Sequence, residues 1–285
     1  MPSVFRLLAR LPLPLLHALG AVLGWLVFAA SPTYRRRFVA NARQAGYGLA
    51  QVHAAVAHAG QMLAETPRLW LHPRLPRCDM RGSQVVEQAY GEGRGIVFLT
   101  PHIGCFELSV QHAARQWSAQ HGPITVLYRP ARQAWLAQLM QTVRNRPGIA
   151  AVPTSLQGVR QMIKALRRGE AVGLLPDQVP PEGQGLWSPF FGRPAYTMTL
   201  AARLVQQTGA AVVLARCERL GWARGYRLHL QGLGEPLSAD LPQAVRQINA
   251  AMEQQIRACP QQYLWGYARY KQPRAEAPPL AQAGA

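Results

Sequence analysis

From Cys78 onward the sequence alternates two kinds of segment, and this alternation limits the fold more than any other feature. Compact apolar runs at 95–100, 124–129, 149–153, 171–176, 210–216 and 225–232 are too short for helices and are bounded by Gly, Pro or charged residues. Longer stretches with helical spacing of apolar residues lie at 83–91, 104–119, 133–145, 157–168, 197–208 and 240–258. A strand that is apolar throughout must be covered on both sides. The sequence therefore predicts an α/β fold, a mainly parallel sheet flanked by helices on both faces. The last two strands stand close together and are expected to form an antiparallel edge. This α/β domain is placed at 77–273. The Ala-, Pro- and Gly-rich residues 274–285 read as a disordered tail.

The segment before the domain has a different character. Over residues 11–30 the only ionisable side chain is His17, and twenty apolar residues are long enough to cross a bilayer. Arg6 and Arg10 precede the run and Arg35, Arg36 and Arg37 follow it. Residues 1–32 are read as a membrane anchor helix, spanning or lying in the interface, against the alternatives of a buried core helix or a signal peptide. Residues 33–76 are read as a helical connecting layer, closed by Pro73 and Pro76.

Apolar residues make up 49% of the chain, ample for a core. A net charge of +18, from 31 basic and 13 acidic residues, calls for an anionic partner such as an anionic membrane, a phosphorylated lipid or an acidic protein. No helix-turn-helix or finger spacing appears, so nucleic acid is not expected. Cys78, Cys105, Cys217 and Cys259 are scattered without metal-ligand spacing, so they read as free thiols in a reducing compartment and no metal is expected. No cofactor is expected either.

The first strong strand runs into the stretch with the most chemistry, Gly95-Ile-Val-Phe-Leu-Thr-Pro-His-Ile-Gly-Cys-Phe-Glu107. Thr100-Pro101 ends the strand, His102 follows, and the pattern turns helical after Glu107. Open α/β sheets place their chemistry at such strand ends. On one unbroken helix His102 and Glu107 would lie about 140° apart and could not meet. With His102 on the loop and Glu107 in the first helical turn, Glu107 is expected to accept from one ring nitrogen while the other takes a proton from a hydroxyl. Gly104 leaves room for close backbone approach. Cys105 reads as a small buried filler rather than a nucleophile.

Further strand ends add candidates. Arg129 ends the 124–129 run, just before Pro130, and is suited to a phosphate or a polarised carbonyl. Asp177 leaves the 171–176 strand, placed either to orient a donor or to cap a turn. The aromatic stretch Trp187-Ser-Pro-Phe-Phe-Gly-Arg-Pro-Ala195 suits an acyl chain or ordinary loop packing, and the helix after it carries Arg203. The basic helix face at Arg160, Lys164 and Arg167/Arg168 reads as solvated or as a site for an acidic partner.

Together these residues resemble a known family. His102-Ile-Gly-Cys-Phe-Glu107 resembles the H-x4-D/E motif of the glycerolipid acyltransferase superfamily. With Tyr128-Arg-Pro130, Leu175-Pro-Asp-Gln178, Pro189-Phe-Phe-Gly-Arg-Pro-Ala195 and Tyr263-Leu-Trp-Gly-Tyr-Ala-Arg-Tyr-Lys271, the chain looks like the late (lauroyl/myristoyl) acyltransferases of lipid A biosynthesis over about residues 5–273. Those enzymes usually carry a His and paired arginines after the C-terminal Trp, where this chain has Gly266-Tyr-Ala-Arg269. The resemblance implies an acyl carrier protein donor, a phosphorylated glycolipid acceptor and a bacterial inner membrane location at the cytoplasmic face. It implies His102 and Glu107 as catalytic residues, with Gly104, Arg129, Asp177 and Arg203 around the substrates. An acyltransferase for another membrane lipid, a lysophospholipid or an ornithine lipid, and a non-catalytic basic lipid-binding protein are the alternatives.

Overall fold

The computed structural model describes residues 2–128, 146–221 and 224–273. The expected helix at 133–145, Arg129 and the tail at 274–285 lie outside the described residues.

The N-terminal third is helical: α1 (Pro2–Arg10), α2 (Leu13–Ala30), α3 (Pro32–Gln44), α4 (Leu49–Val52) and α5 (Ala54–Leu71). Pro14 and Pro32 sit in the first turns of α2 and α3, where a missing N–H costs nothing. The Ser31 side chain caps α3 by accepting from the Tyr34 amide. Helices α2 and α5 pack antiparallel and close, because three glycines line the contact. A Cβ on Gly60 would stand 1.9 Å from the Gly20 carbonyl oxygen, and one on Gly24 would stand 2.2 Å from that of Val56.

The rest follows the expected alternation. In chain order come β1 (Cys78–Arg81), α6 (Ser83–Gly91), β2 (Ile96–Leu99), α7 (Phe106–His121), β3 (Ile124–Tyr128), β4 (Ile149–Pro153), α8 (Leu156–Arg167) and β5 (Ala171–Leu174). They are followed by β6 (Gly185–Phe190), β7 (Arg193–Met198), α9 (Leu200–Thr208), β8 (Ala211–Arg219), β9 (Tyr226–Gly232) and α10 (Leu241–Ala258). Among the described residues seven strands form one sheet in the order β1-β9-β8-β2-β5-β3-β4. All its pairings are parallel except β8–β9, which is antiparallel.

The structure departs from the sequence reading in two places. The antiparallel pair is not an edge, because β1 adds a parallel strand outside β9. Cys-Asp-Met-Arg has no apolar run to announce it. The stretch read as an aromatic loop is a hairpin, β6–β7, whose turn residues Phe191 and Gly192 both have positive φ, 47° and 75°. Its Pro189 and Pro194 face each other, and those prolines gave the stretch its loop character.

Side chains of β2 alternate between two cores. Val97 and Leu99 join one cluster, and Ile96 and Phe98 join the other. The first cluster also holds Phe28, Phe38, Val52 and Val56, so the N-terminal helices share a core with the sheet rather than standing apart from it.

Candidate active site

Parallel pairing of the central strands builds the site. Leu99 of β2 is in register with Leu174 of β5, and each chain then continues three residues beyond the sheet. Those third residues are His102 and Asp177. The His102 Nδ1 lies 2.7 Å from Asp177 Oδ1, and the His102 amide donates to Oδ2 at 2.9 Å. Asp177 is 2% exposed. Burial by itself would raise its pKa, but the His102 charge, both His102 hydrogen bonds and the Arg269 charge hold it below the ordinary carboxylate range. The other ring nitrogen, Nε2, is 3.1 Å from the Gln178 side-chain nitrogen. With that amide donating to Nε2, the ring proton sits on Nδ1, facing Asp177. The Phe106 ring packs edge-on to the imidazole at 4.9 Å between centroids.

The backbone carrying His102 is fastened on several sides. The Leu264 amide donates to the His102 carbonyl at 3.2 Å. The Gly104 amide donates to the Gln262 carbonyl at 3.0 Å, and the Cys105 amide to the Cys217 carbonyl at 2.8 Å. Gly104 has a φ of +56°, and a Cβ there would lie 2.0 Å from the Cys217 carbonyl oxygen. The close approach expected at Gly104 is therefore present, but it is made by protein. The resemblance puts Gly104 around the substrates, yet its amide is already used by the Gln262 carbonyl. Gly104→Ala is expected to displace this loop, lowering activity at least about tenfold and melting temperature by several degrees, as read by acyl-transfer rate and calorimetry.

Glu107 is the second residue of α7, in its first turn as expected. It is not among the hydrogen-bond partners of the His102 ring. Its carboxylate accepts from the Trp70 indole at 3.3 Å, tying the motif to the end of α5. The orienting contact that the sequence reading gave to Glu107 is made here by Asp177, for a geometric reason. His102 and Asp177 leave neighbouring strands in the same register, whereas Glu107 leads away on the helix. Arg203 stands on the exposed side of α9 and donates back to the Thr199 hydroxyl at 3.3 Å, without a hydrogen bond to His102 or Asp177. Cys105 is buried, and burial pushes its thiol well above the ordinary range, which removes it as a ready nucleophile. In the aromatic hairpin Phe190 and Phe191 are core residues, while Trp187 is half exposed.

Beneath the motif lies a buried ionic network that the sequence reading missed. Glu65 of α5, 1% exposed, accepts from Arg219 Nε at 3.0 Å and from the Tyr226 hydroxyl at 2.8 Å. His17 of α2 stands 2.9 Å from the same carboxylate. The Arg219 guanidinium also donates to the Gly104 carbonyl at 3.2 Å and faces His58 Nδ1 at 3.0 Å. One signal was available in the sequence. Glu65 is the only acidic residue before Asp79, and His17 is the only ionisable side chain in the apolar run.

This network sets an acid limit. For Glu65 burial raises the pKa, but Arg219 and His17 outweigh it and bring the value down to about 2. For His58 burial and the Arg219 charge lower the pKa to about 4. Both groups bind protons more readily in the unfolded chain, so both favour folding at neutral pH and lose that contribution on acidification. Denaturant unfolding is expected to show stability falling as pH drops from about 6.5 to 4 through His58, by about 3 kcal/mol, and further from about 4.5 to 2 through Glu65. In His58→Gln the first of these falls is expected to vanish.

The chain can be compared with known proteins on this basis. The sequence pattern of the family described as bacterial lipid A biosynthesis acyltransferase matches residues 3–272. The lipid A biosynthesis palmitoleoyltransferase of Escherichia coli K12 is 28% identical over 218 residues, 74% of this chain and 68% of that protein. The lauroyltransferase of the same strain is 26% identical over 280 residues, 94% and 89% of the two chains. The myristoyltransferase is 24% identical over 218 residues, 75% and 65%. A match running from α1 past the last helix, and including the strand-end motif just described, places the chain in the bacterial lipid A biosynthesis acyltransferase family, as an acyltransferase.

Proposed function

We propose that the protein moves a fatty acyl chain from an acyl carrier protein thioester to a hydroxyl of a phosphorylated glycolipid, a lipid A precursor, at the cytoplasmic face of the inner membrane. The observation that carries this reading is the His102–Asp177 pair, which leaves Nε2 as an acceptor at the end of the central strands. The acceptor hydroxyl takes the place of the Gln178 amide at Nε2 and gives up its proton as its oxygen attacks the thioester carbonyl. The tetrahedral intermediate collapses by breaking the carbon–sulfur bond. The imidazolium returns the proton to the leaving thiolate, giving an ester and a free carrier thiol. Asp177 holds the tautomer and stabilises the imidazolium. Glu107, fixed at the start of α7, adds a second negative charge on the motif that favours the same cation.

The sealed Cys105 supports direct transfer without an acyl-enzyme. The +18 charge suits an acidic carrier and an anionic membrane. The split of β2 side chains between two cores supports the reading that helices cover both faces of the sheet. The reading is tested by incubating purified protein with acyl-acyl carrier protein and a glycolipid acceptor. Mass spectrometry is expected to show the acceptor gaining one acyl chain as free carrier appears. Acylation of a lysophospholipid or an ornithine lipid instead would reassign the acceptor.

A further inference from the structure

The 18 residues of α2 are long and apolar enough to cross a membrane. We propose that α2 does not cross, but lies along the surface of an anionic bilayer with its outer side sunk into one leaflet and α1 beside it. The inference rests on the membrane location proposed above and not on the transfer chemistry.

The inner side of α2 is committed to protein along nearly its whole length. His17 meets Glu65, Gly20 meets Gln61, and Gly24 meets Val56, an antiparallel register held over about two turns. Leu16 and Phe28 are buried beyond either end of that contact. The outer side is a stripe at i, i+4, i+7 and i+11, formed by Leu15, Leu19, Val22 and Leu26 with Trp25 beside it, each between 43 and 61% exposed. On α1, Val4 and Leu7 are similarly exposed. An interfacial helix normally carries a polar side toward water. Here that side is replaced by α5, which accounts for a helix apolar all round.

Spanning fails on either route. Set upright, α2 would carry α5 with it and bring Gln61, His58, Glu65 and the Arg219 ion pair to hydrocarbon depth. Peeled from α5, it would leave Glu65 without His17 and open a contact shaped by glycine backbones. Lying flat, α2 keeps both and places its exposed stripe in the acyl region. Arg6 and Arg10 before it, and Arg36 and Arg37 after it, are exposed where anionic headgroups would meet them.

The test uses the full chain with single added cysteines, Arg10→Cys before α2 and Thr33→Cys after it. Membrane vesicles of both orientations are treated with an impermeant maleimide, and the labelled peptide is identified by mass against the parent protein. Both sites are expected to react from the same side. Reaction from opposite sides would overturn the proposal. The double variant Leu19→Glu/Leu26→Glu is expected to lose at least about a hundredfold in flotation with vesicles of phosphatidylethanolamine and phosphatidylglycerol, while melting as the parent does. Unchanged flotation of that folded variant would equally overturn it.

Discussion

Replacing Asp177 with Asn is expected to lower kcat by about a hundredfold to ten-thousandfold while leaving the fold in place. The side chains are nearly the same size, and the Asn carbonyl can still accept from the His102 amide. The change is in the other contact. A carboxylate only accepts, so it holds the ring proton on Nδ1 and keeps Nε2 free to take a proton. The Asn amide nitrogen in that place would donate to Nδ1 and drive the proton to Nε2, the wrong tautomer for a base. It would also remove the charge that stabilises the imidazolium. Initial rates at saturating acceptor, alongside thermal melting, check this. A kcat within threefold of the parent would show that Asp177 does not set the state of His102.

Replacing Glu65 with Ala is expected to give the largest loss of stability, about 3–5 kcal/mol, because it leaves the Arg219 guanidinium buried without its carboxylate. For a chain of this size that corresponds to a fall of about 5–15 °C in melting temperature. The damage should also reach the reaction. Arg219 holds the Gly104 carbonyl, and Gly104 lies two residues from His102. Activity should therefore fall even at temperatures where the variant remains folded. Calorimetry and transfer rates at a low temperature separate the two effects. A variant that melts with the parent would mean that the ionic network makes no net contribution to the fold.

Neither Asp177 nor Glu65 could be given its partner from local spacing, although the sheet that brings the pairs together could be read. The sheet was legible because each central strand is a short apolar run between breakers, and Ile96–Leu99, Ala171–Leu174 and the start of β8 fall where the pattern put them. Strand β1 was not, since an outer strand with one neighbour needs little apolar surface. His102 could be singled out from Thr100-Pro101 ending a strand. Its partner could not be chosen from local spacing. Glu107 is five residues away in sequence, while Asp177 is 75 residues away and becomes adjacent only through the β2–β5 register. The Glu65–Arg219 pair shows the same limit, since it joins α5 to β8 across 154 residues. Spacing along the chain describes what one element can do, and tertiary register decides which elements meet.

The most direct test of the account is a single turnover with enzyme in excess over acyl-acyl carrier protein and glycolipid, comparing the parent with His102→Ala. The parent is expected to form acylated glycolipid with no acyl adduct on the protein at any time. His102→Ala, folded and melting as the parent does, is expected to leave donor and acceptor unchanged. Product formation by His102→Ala at the parent rate, or an acyl-protein adduct that forms and decays in step with product, would contradict direct transfer by this histidine.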